Sequence, residues 1–127
     1  MPLASGLLSG KYDESTEFGP DDHRNYNRHG ESFDVGETFA GVDFATGVEA
    51  VRRLRPLVPD GTTMAQFALR WILDQPGVSV VIPGARNPGQ VEGNIAAADL
   101  EPLPQDVQQA VRATYDELIR PEVHDRW

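Results

Sequence analysis

From residue 43 onward, apolar residues recur at the spacing of helices, whereas residues 13–42 show no such period. The first apolar stripe follows Asp43, a suitable helix N-cap, and stops at Pro59-Asp60-Gly61. This stripe consists of Phe44, Val48, Val51, Leu54 and Leu57. A second helix is predicted to start at Thr63-x-x-Gln66, the spacing of a capping box, and to end near residues 75–77. Its predicted buried stripe is Ala65, Ala68, Leu69, Ile72 and Leu73.

The segment 78–82 has the pattern of a buried strand. It is almost continuously β-branched, broken only by Ser79, which is typical of a strand covered on both faces. Helices are predicted after it, from residue 88 to about residue 97 and from about residue 104 onward. The apolar face of the last helix is Val107, Val111, Tyr115 and Leu118. Helix, strand and helix in this order are typical of one unit of a βα barrel.

The chain therefore divides into an irregular region, 1–42, and a region, 43–127, predicted to run helix-helix-strand-helix-helix. Residues 13–42 are polar, charged and glycine-containing. A stretch of this length without regular structure is typical of a functional loop or of a disordered segment.

Composition narrows the choice of partners. The formal charge of −9 and the pI near 4.6 argue against a nucleic-acid surface and against an anionic membrane surface. The absence of cysteine excludes disulfides, thiolate zinc sites and cysteine nucleophiles, and it fits a cytoplasmic protein. A local basic pocket for a phosphorylated cofactor remains compatible with this overall charge.

The turn between the predicted strand and the next helix carries groups that suit a phosphate. Asn87 is a good N-cap, Pro88 takes the first helical position, and Gln90 completes an Asn-x-x-Gln capping box. The free N–H groups of the first turn and the Arg86 guanidinium would converge on an anion. The alternative is an ordinary strand–helix junction with a surface arginine.

The stretch 2–12 is a second candidate for binding an anion. Its two glycines and two serines let the backbone approach a ligand closely. Lys11 is the only lysine of the chain, and the other ten basic residues are arginines. The stretch is too short and too interrupted for a membrane span, and it lacks the basic start and long apolar centre of a secretory signal. The alternative is a flexible N-terminal loop.

Together these motifs resemble the C-terminal part of the aldo-keto reductases. Pro-Leu-Ala-x-Gly-x-Leu-x-Gly-Lys-Tyr stands at 2–12, and Ile-Pro-Gly-Ala-Arg-Asn-Pro-x-Gln-x-x-x-Asn stands at 82–94. The text between them and the ending at 119–127 agree with the same family, so the resemblance covers essentially all 127 residues. The family consists of NADP(H)-dependent oxidoreductases built on a (β/α)8 barrel.

A complete barrel of this kind needs about 250 residues and eight strands. The resemblance therefore implies the α/β fold of an incomplete TIM barrel, its C-terminal portion, mostly helical with one clear interior strand at 78–82. Because an isolated strand cannot satisfy its backbone groups, this strand is expected to pair with an N-terminal portion or with another copy of the chain. We expect a fragment: a truncated chain, a split domain or a late-starting gene.

The resemblance also implies the site residues. The loop matched by Pro2, Leu3, Ala4, Gly6 and Lys11 is expected to hold the cofactor's pyrophosphate. Gly84 and Arg86 are expected near the 2′-phosphate, with Gln90 and Asn94 toward ribose and adenine. Arg24 is a further candidate for a cofactor phosphate, the alternative being a solvated loop arginine. Gly93 departs from the family, because relatives usually carry a glutamate there that binds the adenine amino group.

The family's chemistry is hydride transfer from nicotinamide to a carbonyl, with a tyrosine as proton donor supported by lysine, aspartate and histidine. These four residues precede the matched region, so no catalytic residue is assigned and the isolated chain is expected to be inactive. A small carbonyl substrate is expected only in a complete enzyme. Arg86 favours NADP(H) over NAD, without deciding between them. No metal site is expected from Asp21-Asp22-His23 or His29-x-Glu31, which are common patterns in polar loops.

Two other readings of the chain remain open. It could be a non-catalytic interaction module that self-associates or docks onto an N-terminal partner through its unpaired strand. It could also be largely unfolded without a first half. The residues do not identify which aldehyde, ketone or sugar a full enzyme would reduce.

Overall fold

Helices dominate the computed structural model, which describes residues 1–126; Trp127 lies outside the described residues. Within this range no helix is both long and apolar enough to cross a membrane. The α-helices are α1 (His23–Tyr26), α2 (Phe44–Leu54), α3 (Met64–Leu73), α4 (Pro88–Ala96), α5 (Gln105–Thr114) and α6 (Arg120–Val123). Short 3-10 turns lie at Leu7–Ser9, Val35–Glu37, Phe39–Gly41, Arg55–Leu57, Ala97–Asp99 and His124–Arg126.

Helix α2 begins where its cap predicts. The Asp43 carboxylate accepts hydrogen bonds from the N–H groups of Ala45 (2.9 Å) and Thr46 (3.2 Å), which satisfies two donors of the first turn. The buried face includes Gly47, although glycine inside a helix costs about 1 kcal/mol relative to alanine. A Cβ at this position would lie 2.4 Å from a terminal methyl carbon of Leu7, so glycine lets residues 1–12 pack directly on the helix.

Helix α3 also begins as predicted, and it buries Ala68 and Leu69 of the predicted stripe, but the rest of its buried face differs. The Thr63–Gln66 capping box is confirmed, with both reciprocal hydrogen bonds present. Phe67, absent from the predicted stripe, is only 1% exposed, whereas Ile72 and Leu73 remain half-buried. The first two turns of α3 pack into the core, while the last turn lies at its edge. The buried residues are Met64, Phe67, Ala68 and Leu69.

The predicted interior strand at 78–82 is not formed. Across the described range no strand is present, and residues 78–85 connect α3 and α4 without regular secondary structure. Val80 is 69% exposed and Ile82 is 81% exposed, so the segment is not interior. The physical reason is that a strand needs a neighbour to supply hydrogen-bond partners, and residues 1–126 fold into helices and loops that offer none.

The last predicted helix is confirmed as α5, which continues through a π turn (Tyr115–Ile119) into α6. Within the π turn the Arg120 N–H donates to the carbonyl of Tyr115, five residues earlier. Pro121 follows immediately and has no N–H to give, and its ring would crowd a regular helical turn. The wider turn accommodates the proline without ending the helix.

Residues 13–42, which we call the connecting segment, are folded rather than disordered. Phe18 and Phe39 pack with Phe44 of α2, with ring centroids 5.7 and 5.1 Å from that of Phe44. Asn27 is fully buried, and its Oδ1 accepts from the N–H groups of Ser32 and Phe33, both at 2.8 Å. Its Nδ2 donates to the Thr38 hydroxyl at 3.2 Å. One buried amide thus fixes the turn that follows α1 and joins it to Thr38, while α1 and two 3-10 turns are the regular structure of this segment.

We expect Asn27→Ala to lower the free energy of unfolding by about 2–3 kcal/mol, because it removes the three hydrogen bonds of a fully buried amide and leaves the buried Thr38 hydroxyl without this partner. Urea denaturation followed by circular dichroism measures this change. The matched control is Asn25→Ala. Asn25 donates to the carbonyls of Phe18 and Gly19 but is exposed, so its loss is expected to cost less than about 1 kcal/mol. Equal losses for the two variants would contradict this account of the segment.

Candidate functional site

A single cleft of about 780 Å³ lies between residues 1–12, the first turn of α3 and residues 82–94. Nine of the ten predicted site residues line it, and Ala4 is the exception. Although the chain carries 20 acidic residues, no Asp or Glu of the described residues 1–126 lines the cleft, whereas Lys11, Arg24 and Arg86 do. The cleft is therefore cationic in an acidic protein. Its lining consists of Met1, Pro2, Leu3, Ser5, Gly6, Ser9, Lys11, Tyr12, Arg24, Thr63, Ala65, Gln66, Ile82, Pro83, Gly84, Arg86, Gly89, Gln90, Gly93 and Asn94.

The N-terminal loop (residues 1–12) folds through three successive left-handed residues. Ala4, Ser5 and Gly6 have φ values of 46°, 56° and 88°. A Cβ on Gly6 would lie 2.8 Å from the Tyr12 hydroxyl, so this position requires glycine for both conformation and space. Ala4 does not line the cleft, contrary to its predicted role; it lines a separate apolar cavity of about 490 Å³.

The loop offers fewer backbone donors to an anion than the expected pyrophosphate cradle would. Its turns use most of its N–H groups: those of Gly6 and Leu8 both donate to the Leu3 carbonyl, at 3.0 and 3.2 Å. Among residues 1–126, the N–H groups of Leu3 and Ser5 find no hydrogen-bond acceptor. Ionic attraction by side chains must therefore supply more of any anion binding here. The other internally bonded N–H groups are those of Ala4, Leu7, Ser9, Gly10 and Lys11, the last donating to the Ser9 hydroxyl.

Ser5 joins the N-terminal loop to the connecting segment. Its hydroxyl donates to the Glu37 carbonyl at 3.3 Å and accepts from the Phe39 N–H at 3.1 Å. Its carbonyl accepts from Arg24 Nη1 at 3.3 Å. These three hydrogen bonds fix the left-handed stretch 4–6, which forms part of the wall of the cleft.

Arg24 lines the cleft, but its charge is already balanced. Its Nε lies 2.8 Å from Asp22 Oδ1 and its Nη2 lies 2.5 Å from Asp22 Oδ2, a bidentate ion pair. The guanidinium also lies over the Phe18 ring and donates to the Tyr12 hydroxyl. This pairing lowers the pKa of Asp22 to about 2, chiefly through the side-chain hydrogen bond, and it raises the pKa of Arg24. The Asp22–Arg24 pair therefore holds the N-terminal loop in place, and we call it the clamp. The Arg24 charge is not free to bind a phosphate.

Lys11 and Arg86 differ from Arg24 in being exposed and unpaired. Neither the Lys11 ammonium nor the Arg86 guanidinium makes an ion pair or hydrogen bond with another side chain or carbonyl in the described part of the chain. They enter the cleft from different segments, one from the N-terminal loop and one from the turn before α4. Two separated cations thus open onto one space, as a ligand with two anionic ends requires.

The α4 side of the cleft departs from the predicted capping box. Asn87 Oδ1 accepts from the Gln90 N–H at 3.0 Å, as expected of an N-cap. The Gln90 side chain does not return to the Asn87 N–H; its Oε1 accepts from the Arg86 N–H at 2.6 Å instead. Asn94, one turn later, donates to the Gly84 carbonyl at 3.3 Å. The reciprocal box is therefore wrong, because the loop bends back so that Arg86 is the nearer donor.

The first turn of α3 contributes residues that the sequence analysis missed. Thr63, Ala65 and Gln66 line the cleft, and Gln66 Nε2 donates to the Gly93 carbonyl at 3.1 Å. The capping box at 63–66 marked the start of a helix but gave no sign that it faces α4. Ser5, Ser9 and Tyr12 were missed in the same way, although they stand within the matched N-terminal motif.

The acid and histidine patterns do not form a metal site. Among residues 1–126, no group of three or more His, Asp or Glu side chains is placed to hold an ion. Asp22 pairs with Arg24 and lies 3.7 Å from His23 Nδ1, while Glu31 accepts from the His29 N–H at 2.8 Å. These contacts explain both patterns as local loop structure.

Comparison with known proteins identifies the protein family. The model of the aldo/keto reductase family matches residues 1–116, and the chain belongs to this family of oxidoreductases. Aldo-keto reductase YhdN of Bacillus subtilis (strain 168) is 38% identical over 92 residues, which is 71% of this chain and 25% of that protein. The "Uncharacterized oxidoreductase Rv2298" of Mycobacterium tuberculosis (strain ATCC 25618 / H37Rv) is 38% identical over 108 residues, 79% of this chain and 28% of the relative.

A third relative carries a different description. A protein named "Probable voltage-gated potassium channel subunit beta" from Arabidopsis thaliana is 32% identical over 108 residues, 80% of this chain and 29% of its own length. The chain thus spans between a quarter and three tenths of the length of these curated relatives. Membership in the family implies the architecture of a TIM-barrel fragment.

The clamp, which is the Asp22–Arg24 ion pair, stabilises the fold less in acid. Because the pKa of Asp22 falls from 3.8 to about 2 on folding, its contribution is fully present above about pH 4 and is lost as the pH falls through about 2. We expect Asp22→Asn to lower the free energy of unfolding by about 1–2 kcal/mol at about pH 6, and to have little effect near pH 2. Urea denaturation across this range measures the difference. The control is Asp21→Asn, an exposed neighbour; an equal pH dependence of the loss for both variants would contradict the clamp.

Proposed function

We propose that this chain is the cofactor-binding part of an NADP(H)-dependent aldo-keto reductase and binds NADP(H) in the cleft. The observation that carries the proposal is the cleft itself, where, as far as the described residues extend, Lys11 and Arg86 stand unpaired and no carboxylate lines the space. Such a site attracts a polyanion even in a chain of net charge −9. Family membership supports a nicotinamide dinucleotide as that polyanion.

The proposed contacts follow the two sides of the cleft. Lys11 supplies a point charge to the pyrophosphate, with Pro2, Leu3 and Gly6 forming the adjoining wall. Arg86, beside Gly84, meets the 2′-phosphate, and this is why NADP(H) is proposed over NAD. Gln90 and Asn94 lie on the side of the cleft that is proposed for the ribose and adenine. Arg24 is assigned a supporting part, because Asp22 already balances its charge. Ala4 supports the loop from outside the cleft.

Reduction of a carbonyl is proposed for a complete enzyme and not for this chain alone. The family's aspartate, tyrosine, lysine and histidine precede the matched region, and the one lysine present is Lys11, assigned to the cofactor. Tyr12 lines the cleft, yet Arg24 is its recorded hydrogen-bond partner and no second lysine exists to act on it. The proposed partners are a nicotinamide dinucleotide and, in a complete barrel, a small carbonyl compound. A cytoplasmic location without nucleic-acid or membrane partners completes the proposal.

Titration calorimetry with NADPH tests the proposal. We expect Lys11→Met and Arg86→Met each to weaken binding by about tenfold, because each removes a charge-assisted contact with phosphate. Arg112→Met is the matched control: this exposed arginine lies outside the cleft, and its replacement makes the same change in net charge. Arg86→Met is expected to weaken NADPH binding more than NADH binding.

Three results would count against the proposal. Equal effects of Arg86→Met and Arg112→Met would show that only net charge matters. The absence of detectable NADPH binding would exclude the cleft as a cofactor site. Oxidation of NADPH by an aromatic aldehyde in the presence of the purified chain would overturn the expected inactivity.

A second candidate function is favoured by the segment 78–82. Its exposed Val80 and Ile82, together with backbone groups that lack a neighbouring strand, are the features by which sheet edges recruit other strands. On this reading the chain is a non-catalytic interaction module, which self-associates or docks onto an N-terminal half through the segment. The two functions are compatible, since the segment leads directly into the cleft at residue 82.

Multi-angle light scattering over a range of protein concentrations tests this second candidate. We expect the chain to form dimers or larger species as concentration rises, and Val80→Lys to shift it toward monomer, because a buried ammonium opposes apolar pairing. The control is Val91→Lys on α4, where valine is also exposed. A monomer at every concentration would exclude self-association, and equal effects of the two variants would exclude the segment as its cause.

A further inference from the structure

The Arg86 loop (residues 83–86) is held to the rest of the chain by very few contacts. Gly84, Ala85 and Arg86 are exposed, and a Cβ added to Gly84 would meet no atom within 4 Å. The backbone groups of residues 83–86 make two hydrogen bonds to residues 1–126. The position of the Arg86 backbone therefore depends on those two bonds, since packing does not supply it.

Both hydrogen bonds come from side-chain amides one turn apart on α4. Gln90 Oε1 accepts from the Arg86 N–H at 2.6 Å, and Asn94 Nδ2 donates to the Gly84 carbonyl at 3.3 Å. The acceptor of one amide and the donor of the other are thus committed to the loop. Asn87 provides no substitute, because its Oδ1 caps the Gln90 N–H.

We propose that Gln90 and Asn94 are positioning residues, which hold the Arg86 loop against α4 so that the Arg86 guanidinium stays in the cleft. Rigid placement matters because an arginine on a loose loop must lose the loop's conformational freedom when it binds an anion. The proposal rests on the proposed function for its ligand, and on the hydrogen bonds alone for the order of the loop. It assigns the effect of the two amides on binding to Arg86 rather than to their own contacts with ribose or adenine.

Hydrogen exchange of the Arg86 amide, followed by NMR without any ligand, tests the order of the loop. Gln90→Met keeps the length of the side chain and removes the acceptor, so we expect exchange of this amide to become about 3- to 10-fold faster. Asn94→Leu, which releases the other end of the loop, is expected to act in the same direction. Gln90→Glu retains an acceptor oxygen and should keep exchange slow. Val91→Met, an exposed neighbour on α4, is the control.

Titration with 2′-AMP separates positioning from direct contact. We expect Gln90→Met to weaken binding about 2- to 10-fold when Arg86 is present and to have no effect in the Arg86→Met background. The same loss in both backgrounds would mean that Gln90 touches the ligand itself, and this would overturn the proposal. Unchanged exchange of the Arg86 amide in both Gln90→Met and Asn94→Leu would also overturn it.

The two experiments test the proposed function and the positioning role independently. If the chain binds neither 2′-AMP nor NADPH, the proposed function fails, whereas the exchange of the Arg86 amide still decides whether the side chains order the loop. If both ligands bind but the amide exchanges equally in all variants, the function stands and the positioning role is wrong.

Discussion

The shape of the cleft depends on how Ser5 is held. Ala4 and Ser5 adopt left-handed backbone conformations, which cost about 1–2 kcal/mol for a residue other than glycine. Three hydrogen bonds between Ser5 and the connecting segment offset this cost. The Ser5 hydroxyl donates one and accepts one, and the Ser5 carbonyl accepts the third from Arg24, which is paired with Asp22. The connecting segment thus supports the N-terminal loop, and this loop carries Lys11 at the cleft.

The distribution of charge separates the cleft from the rest of the molecule. Acidic residues outnumber basic ones by 20 to 11, yet within residues 1–126 the lining of the cleft contains three cations and no carboxylate. Arg24 is neutralised by Asp22, so it fixes the loop, whereas Lys11 and Arg86 are exposed. Two arginines that line one cleft thus differ, since one is tied into the local structure and the other is open to solvent. An acidic exterior with a basic cleft suits a soluble polyanion better than an extended nucleic acid.

The segment 78–82 shows how differently helices and strands depend on their surroundings. Helices satisfy most of their own backbone groups, so α2, α3, α4 and α5 form, and the first three begin at the side-chain caps of Asp43, Thr63 and Asn87. A strand depends on its neighbours, and the described part of the chain has none to offer. The cleft does not require a strand, because it is lined by loop residues and by residues of α3 and α4.

Local signals determined the helices and most of their caps, and they marked the two candidate anion-binding segments, because capping and helical periodicity act over a few residues. Asp43, the Thr63–Gln66 pair and Asn87 act as their positions predict. The binding roles of Lys11, Arg86 and the other site residues stay predictions. Tertiary structure alone decided that Phe67 is buried, that Asn27 organises the connecting segment, that Gln90 bonds Arg86, and that 78–82 lies exposed. Each of these depends on which distant groups come within reach, and spacing along the chain does not contain that information.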